Sequence, residues 1–148
     1  MATRISRHVF TSFQYEDLKY ANLIHAWAAN ENNDFTMYNE RLEVAVDSDN
    51  AEYIKRQIRP KIRRASVLIC IIGPGTYASE WVNWEISFAK GERKGLVGVR
   101  LGEDNRRPRE IIDAGAIFVP YKRDDIEDAI EEAATSQNIT GDWVLRSG

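Results

Sequence analysis

The chain has 148 residues, of which 43% are hydrophobic and 29% are charged, and its formal net charge is −3. This length and composition predict a single globular domain over residues 1–148, with a core at about 8–135 and a tail at 136–148. The negative net charge argues against a nucleic-acid partner, because that class of protein presents excess positive charge.

Five short apolar runs alternate with segments of helical periodicity. The strand predictions are 8–13, 35–38, 66–72, 95–101 and 116–121. Because strands and helices alternate, the expected fold class is α/β: a three-layer, flavodoxin-like domain whose five-stranded parallel sheet carries helices on both faces. The expected strand order is 2-1-3-4-5, which places a ligand crevice at the carboxyl ends of strands 1 and 3.

Helices are predicted between the first three strands. The second of them is expected to take Ser48, Asp49 or Asn50 as its N-cap and to kink or split at Pro60. The residues expected to face the core are Tyr20, Leu23, Ile24 and Trp27 in the first helix, and Ala51, Ile54, Ile58, Ile62 and Ala65 in the second.

Two further helices are predicted in the second half of the chain. Pro108 is expected at the first position of a short helix that ends at Gly115. The last helix is expected to begin with a capping box of Asp124 and Glu127. Its predicted core residues are Ile126, Ala129, Ile130 and Ala133, and no periodicity extends beyond Gln137.

The segment after strand 3, Gly73-Pro74-Gly75-Thr76-Tyr77-Ala78, matches the Gly-x-Gly-x-x-Ala pattern of a dinucleotide-binding turn. That turn needs free N–H groups at a helix start, and Pro74 removes one of them. Ser79 is a better N-cap, which places Glu80 in the first turn, where its charge would repel a phosphate. The next strand carries Arg100 instead of an acid for a ribose. The pattern therefore predicts only a turn out of a buried strand.

Glu85 lies near the centre of an apolar arc on the predicted helix after this turn. Asn83, Ser87 and Lys90 take the opposite, solvent side. Burial of an unpaired carboxylate costs several kcal/mol, so either a function or a salt bridge, for instance to Arg100, must account for it. The arc consists of Trp84, Phe88, Trp81, Glu85, Ala89, Val82 and Ile86.

Two runs carry a family resemblance: Val9-Phe10-Thr11-Ser12-Phe13-Gln14-Tyr15-Glu16-Asp17 and Trp81-Val82-Asn83-Trp84-Glu85-Ile86. They are similar to V-F-x-S-F-x-Y-x-D and W-V-x-x-E-I of small bacterial TIR-like proteins, including the TIR-like subunit of Thoeris antiphage defence systems. The resemblance covers roughly residues 8–135. It implies that Glu85 is the catalytic glutamate of an NAD⁺ glycohydrolase or cyclase, with NAD⁺ as substrate and no cofactor. It also implies substrate contacts from Ser12, Phe13, Tyr15, Trp81 and Asp47.

The resemblance further implies partners. The product would be a nucleotide signal for a downstream effector, and whether it is free, cyclic or conjugated ADP-ribose stays open. Activity is expected to need self-association or an activating phage protein. A head-to-tail contact is suggested by the basic run 55–64, otherwise a solvated helix face, and the acidic helix 124–132. The alternative function is a non-catalytic TIR-like interaction module in which Glu85 is a structural ion pair.

The histidines and the cysteine indicate neither a metal site nor a disulfide. His8 and His25 are not spaced as a metal pair. Cys70, the single cysteine, lies in an apolar run and is predicted to pack in the core, which fits a reducing compartment. No stretch approaches 18 apolar residues and the N-terminus has no apolar leader, so the expected location is the cytoplasm, without a membrane partner.

Overall fold

The structure, a computed structural model, describes residues 6–30, 33–39 and 44–147, and for residues 137–147 the backbone alone. The predicted fold class and strand order are confirmed: one parallel sheet has the order β2-β1-β3-β4-β5. Every strand end lies within two residues of its prediction. The strands are β1 (His8–Ser12), β2 (Asp34–Thr36), β3 (Val67–Ile72), β4 (Gly95–Arg100) and β5 (Ile117–Pro120).

In the described part of the chain, four α-helices cover the two faces of the sheet: α1 (Leu18–Asn30), α2 (Ala51–Arg64), α3 (Glu80–Gly91) and α4 (Arg123–Ser147). Side chains alternate along the central strand β3, all of whose residues are buried. Leu68, Cys70 and Ile72 pack in the cluster beneath α2 and α3, and their neighbours pack beneath α1 and α4. No helix among the described residues is long and apolar enough to span a membrane.

Two predictions about the first two helices are wrong. Leu23 is 46% exposed, because α1 turns the smaller side chains of Ala21 and Ala28 towards the sheet together with Ile24. Pro60 does not split α2, which runs unbroken through it. The proline removes one backbone donor, but Ile58 and Ile62 are buried on either side of it and keep the helix on the core.

The later helices also differ from their predictions. A 3₁₀ turn over Arg109–Ile111 replaces the short helix, with Pro108 before the turn, while Gly115 takes the expected left-handed conformation at φ +74°. The capping box is absent, because the Ile126 N–H already bonds to the Lys122 carbonyl at 2.9 Å and Asp124 lies inside the first turn. The four predicted core residues of α4 are buried. The helix continues to Ser147, where no periodicity predicted it.

Candidate functional site

Glu85 lies on the face of α3 that packs against the sheet, and 0% of its surface is exposed. Its carboxylate accepts a hydrogen bond of 2.6 Å from the hydroxyl of Ser12, the last residue of β1. Ser12 is itself fully buried and lies opposite Cys70 in the register of β1 and β3. The two predicted site residues Ser12 and Glu85 therefore meet at the carboxyl edge of the two central strands, where an α/β sheet binds its ligands.

The Ser12–Glu85 contact, at 2.6 Å, is at the short end of the range for hydrogen bonds between two oxygen atoms. It fixes one side-chain oxygen of Glu85 against the end of β1. Burial, followed by the nearby carboxylates of Glu85 and Asp17, raises the pKa of the Cys70 thiol well above its usual value. Cys70 therefore stays protonated and is a packing residue, as predicted, and not a nucleophile.

Arg100 does not form an ion pair with Glu85, which was the structural alternative to a functional role for this carboxylate. It ends β4, two strands from Ser12, and among the described residues its Nε atom is buried without a hydrogen-bond acceptor. The salt-bridge explanation for the burial of Glu85 through this arginine is therefore wrong.

The other predicted substrate contacts lie in different surroundings. Phe13 is buried in the apolar cluster beneath α1 and α4, whereas Tyr15 is 51% exposed on the 3₁₀ turn after β1. Trp81 donates its indole N–H to the carbonyl of Val44 at 2.7 Å and so anchors the segment before α2. Asp47 is exposed in an open groove of about 280 Å³ with Trp84 on the outer side of α3. Residues 40–43, between β2 and α2, lie outside the described residues.

Asn83 is buried, although the helical wheel placed it on the solvent side. The 3₁₀ turn over Arg109–Ile111 crosses α3 at this point, and the Glu110 N–H donates to the Asn83 side-chain oxygen at 3.1 Å. The side-chain nitrogen of Asn83 donates to the carbonyls of Tyr77 and Ser79. The Asn83 side chain thus provides hydrogen-bond partners for two carbonyls before α3 and for one N–H of the 3₁₀ turn. If Asn83 faced solvent, water would have to pair with these backbone groups.

The glycine turn contains a 3₁₀ turn over Thr76–Ala78, but no α-helix starts inside it. Instead α3 begins at Glu80, and the Ser79 hydroxyl caps it by accepting from the Val82 N–H at 3.1 Å, as predicted. Gly75 has φ −103°, which any residue adopts. No dinucleotide phosphate cradle is formed, in agreement with the interpretation of this segment as a turn.

Gly73 makes room for a second buried carboxylate, that of Asp17, which is 6% exposed. A Cβ atom at Gly73 would lie 2.4 Å from Asp17 Oδ2. The Thr76 hydroxyl lies 3.4 Å from the same oxygen and accepts from the Gly73 N–H at 2.8 Å. The loops after β1 and β3 are therefore joined through Asp17. A phosphate at this turn would meet a negative charge.

We expect Asp17→Asn to change how stability depends on pH. Burial raises the pKa of Asp17 above its ordinary value, and the contact with Thr76 only partly opposes this. The folded state thus binds the Asp17 proton more tightly than the unfolded state does. The resulting contribution to the free energy of unfolding is complete below the unfolded pKa of Asp17. It is lost as pH rises through the folded pKa. In urea unfolding from pH 3 to pH 8, the variant should gain stability relative to wild type across that window, then run parallel. Parallel curves throughout would contradict the assignment.

Asp17, Thr76 and Asn83 were not predicted as part of this region. Asp17 closes the V-F-x-S-F-x-Y-x-D run, so an acid shortly after strand 1 was visible in the sequence. Its contact with Gly73 was not visible, because Gly73 directly follows β3, and β3 lies beside β1 only in the folded sheet. Within the described residues, no group of three or more His, Cys, Asp or Glu side chains could hold a metal ion.

Comparisons with known proteins agree with the fold. The family model of the Thoeris protein ThsB, TIR-like domain, matches residues 10–106. No curated protein matches the sequence. Among solved structures, a CMP N-glycosidase, BcmB, from Clostridium botulinum is 12% identical, with a TM-score of 0.56 over 83% of this chain and 97% of that one. A 2-deoxyribosyltransferase from Bacillus psychrosaccharolyticus is 16% identical, with a TM-score of 0.62 over 80% and 89%. At these identities the two structures establish similarity of fold.

Proposed function

Because this chain belongs to the family of the Thoeris protein ThsB, TIR-like domain, we propose that it cleaves the nicotinamide–ribose bond of NAD⁺. Its product is an ADP-ribose-type nucleotide, a signal for a downstream effector in bacterial antiphage defence, formed in the cytoplasm. The observation that carries the proposal is the fully buried Glu85 carboxylate, held by Ser12 at the carboxyl edge of β1 and β3.

One carboxylate suffices for this reaction. When the bond between ribose C1′ and the nicotinamide nitrogen breaks, its electron pair goes to the ring, and nicotinamide leaves as a neutral molecule. The ribose becomes an oxocarbenium-like cation, as in glycoside hydrolysis. The negative charge of Glu85 stabilises this cation, and exclusion of water strengthens the effect. Water then adds to C1′ and loses a proton to give ADP-ribose, whereas a nucleophile of the same molecule gives a cyclic product.

The names of the two similar structures support a nucleoside-type substrate. A CMP N-glycosidase breaks the bond between a base and a sugar, and a 2-deoxyribosyltransferase transfers a deoxyribosyl group. Both reactions take place at C1′ of a sugar, the atom at which NAD⁺ is cleaved in this proposal. The shared sheet offers its carboxyl edge for this chemistry.

The assay is direct: purified protein is incubated with NAD⁺ at nanomolar to micromolar protein concentrations, and nicotinamide and nucleotide products are resolved chromatographically. Equimolar release of nicotinamide and an ADP-ribose-type product by wild type, and its loss in Glu85→Gln, is the expected result. Nicotinamide release that persists in folded Glu85→Gln would contradict the role of Glu85. NAD⁺ that stays intact at every protein concentration, with or without phage-infected lysate as a source of activator, would favour the interaction-module alternative.

We further propose that activity depends on self-association. Glu85 is closed off from solvent in the single chain, so a neighbouring chain or a phage activator must help to open or complete the site. The exposed cation Arg56 on α2 and the exposed Glu132 on α4 lie on faces of opposite charge and suit a head-to-tail contact.

Specific activity is therefore expected to rise with protein concentration and to fall with added salt, which screens exposed charges. Arg56→Glu should lower it severalfold, and Glu132→Arg in the same chain should restore part of it. Sedimentation measured alongside the assay checks the cause. Constant specific activity in a species that sediments as a monomer would disprove the dependence.

A further inference from the structure

A recess of about 220 Å³ opens at the amino-terminal edge of the sheet, opposite the candidate site. Its walls are the residues that precede three adjacent strands: Arg7 before β1, Arg64 and Ser66 before β3, and Arg93 and Lys94 before β4. The six residues of β3 separate it from Glu85 by roughly 20 Å. We propose that this recess binds the phosphate groups of a small anionic ligand, such as a diphosphate or a nucleoside diphosphate.

The charge of the recess is largely uncompensated. Arg7 is held by Glu131 through two hydrogen bonds of 3.1 and 2.9 Å, so its charge is paired. Neither Arg64 nor Arg93 has a carboxylate partner in the part of the chain that the structure describes. Two other acids lie near the walls: Glu92, which is paired with Arg63, and Glu132, which lines an adjoining hollow with Lys94. An arginine left unpaired at a concave site offers the planar set of donors that phosphates bind.

Two of the cations are already positioned. The Lys94 ammonium donates to the carbonyl of Arg63, the penultimate residue of α2, at 2.8 Å, and the bidentate pair with Glu131 fixes Arg7 on the opposite wall. The helices α2 and α3 both end at this edge. The carboxyl end of each helix carries a dipole charge of about −0.5, which repels an anion. The three wall cations without a carboxylate partner among the described residues, Arg64, Arg93 and Lys94, outweigh that contribution.

Arg93 supplies an independent observation. It has φ +59°, the left-handed conformation that follows the end of α3, with its N–H on the Lys90 carbonyl and the next N–H on the Ala89 carbonyl. Glycine is the usual residue at this position of a helix end, because a side chain is strained there. Strain that is kept at one residue points to a use for its side chain. In Arg93 that side chain is a guanidinium lining the recess.

The proposal is tested by titrating the full ¹⁵N-labelled chain with inorganic pyrophosphate and, separately, with ADP, at constant ionic strength. The amides of Ser66, Arg93, Lys94 and Gly95 should shift saturably with both ligands. Equal affinities would show that the phosphates alone are bound, and tighter binding of ADP that the nucleoside adds contacts. Shifts confined to the region of Ser12 and Glu85 would overturn the proposal.

Three variants separate binding from folding. Arg93→Gly relieves the strained conformation, so its Tm should rise while its affinity for pyrophosphate falls about tenfold or more. Arg64→Gln should weaken binding to a similar extent. Lys122→Gln removes an exposed cation outside the recess and should stay within about twofold of wild type.

Equal losses in all three variants would show a nonspecific charge effect and overturn the site. So would the absence of saturable shifts with both ligands, together with line broadening that depends on protein concentration. That pattern would assign the recess to an acidic segment of a second copy.

Discussion

Glu85→Gln is expected to lower NAD⁺ cleavage by about a thousandfold while the protein stays folded. Glutamine keeps the volume of the side chain and an oxygen that accepts the 2.6 Å hydrogen bond from Ser12. It removes the negative charge that, in the proposed reaction, stabilises the cation at C1′. Because a buried charge is costly to the fold, the variant should be at least as stable as wild type. Product analysis and thermal unfolding of the same preparation measure both effects.

Glu80→Gln is the matched control for this experiment. Glu80 lies on the same helix, but it is exposed and pairs with Arg109 at the surface, so its replacement should leave turnover within about twofold. Wild-type rates in Glu85→Gln would remove Glu85 from the chemistry. Unfolding of Glu85→Gln, with Glu80→Gln intact, would show that the charge of Glu85 holds the structure together and would support a structural role.

Gly73→Ala is expected to destabilise the protein by about 1–3 kcal/mol. The added Cβ would lie 2.4 Å from one carboxylate oxygen of Asp17 and 2.9 Å from its Cγ. Asp17 is buried and lies against Thr76, so its carboxyl group can move away only by giving up that contact. The free energy of unfolding, measured in urea, gives the effect.

Gly75→Ala is the control, since Gly75 has an ordinary φ and its added Cβ would meet only the Gln14 side chain, at 3.3 Å. Its stability should change by about 0.5 kcal/mol or less, and its KM for NAD⁺ should stay within a few-fold. Asp17→Ala in the Gly73→Ala background should recover stability, because it removes the group that the new methyl meets. Additive losses in the double variant would exclude a steric cause.

The sheet was predictable from the sequence because each strand is a short apolar run and each interval has helical periodicity. That pattern depends only on neighbouring residues along the chain, and so it can be recognised without knowledge of the fold. Leu23 and Asn83 were misplaced for the opposite reason. The face that α1 buries contains Ala21 and Ala28 in place of Leu23, and Asn83 is covered by a 3₁₀ turn that begins 26 residues further along the chain.

The site was predictable in part. Glu85 stood out because a carboxylate in an apolar arc is costly, and the structure buries it fully. Its partner was not predictable by the same logic: Arg100 was the cation considered, while the hydrogen bond comes from Ser12, on a strand 73 residues away in sequence. The contact between Asp17 and Gly73 was not predicted, because the glycine pattern was compared only with a phosphate-binding turn. A glycine that makes room for a carboxylate has the same sequence signature as one that makes room for a phosphate.

The single cysteine gives this protein a built-in reporter. Cys70 lies on the strand beside Ser12, is fully buried, and is held in its protonated form by its surroundings. A soluble alkylating reagent can therefore reach it only in molecules where α2 or α3 has moved off the sheet or the whole chain has unfolded. The ratio of its alkylation rate to that of the unfolded chain measures the population of that open form. A ligand that opens the carboxyl edge of the sheet should speed the alkylation of Cys70, and a ligand that keeps this edge closed should slow the alkylation. No label has to be introduced by mutation.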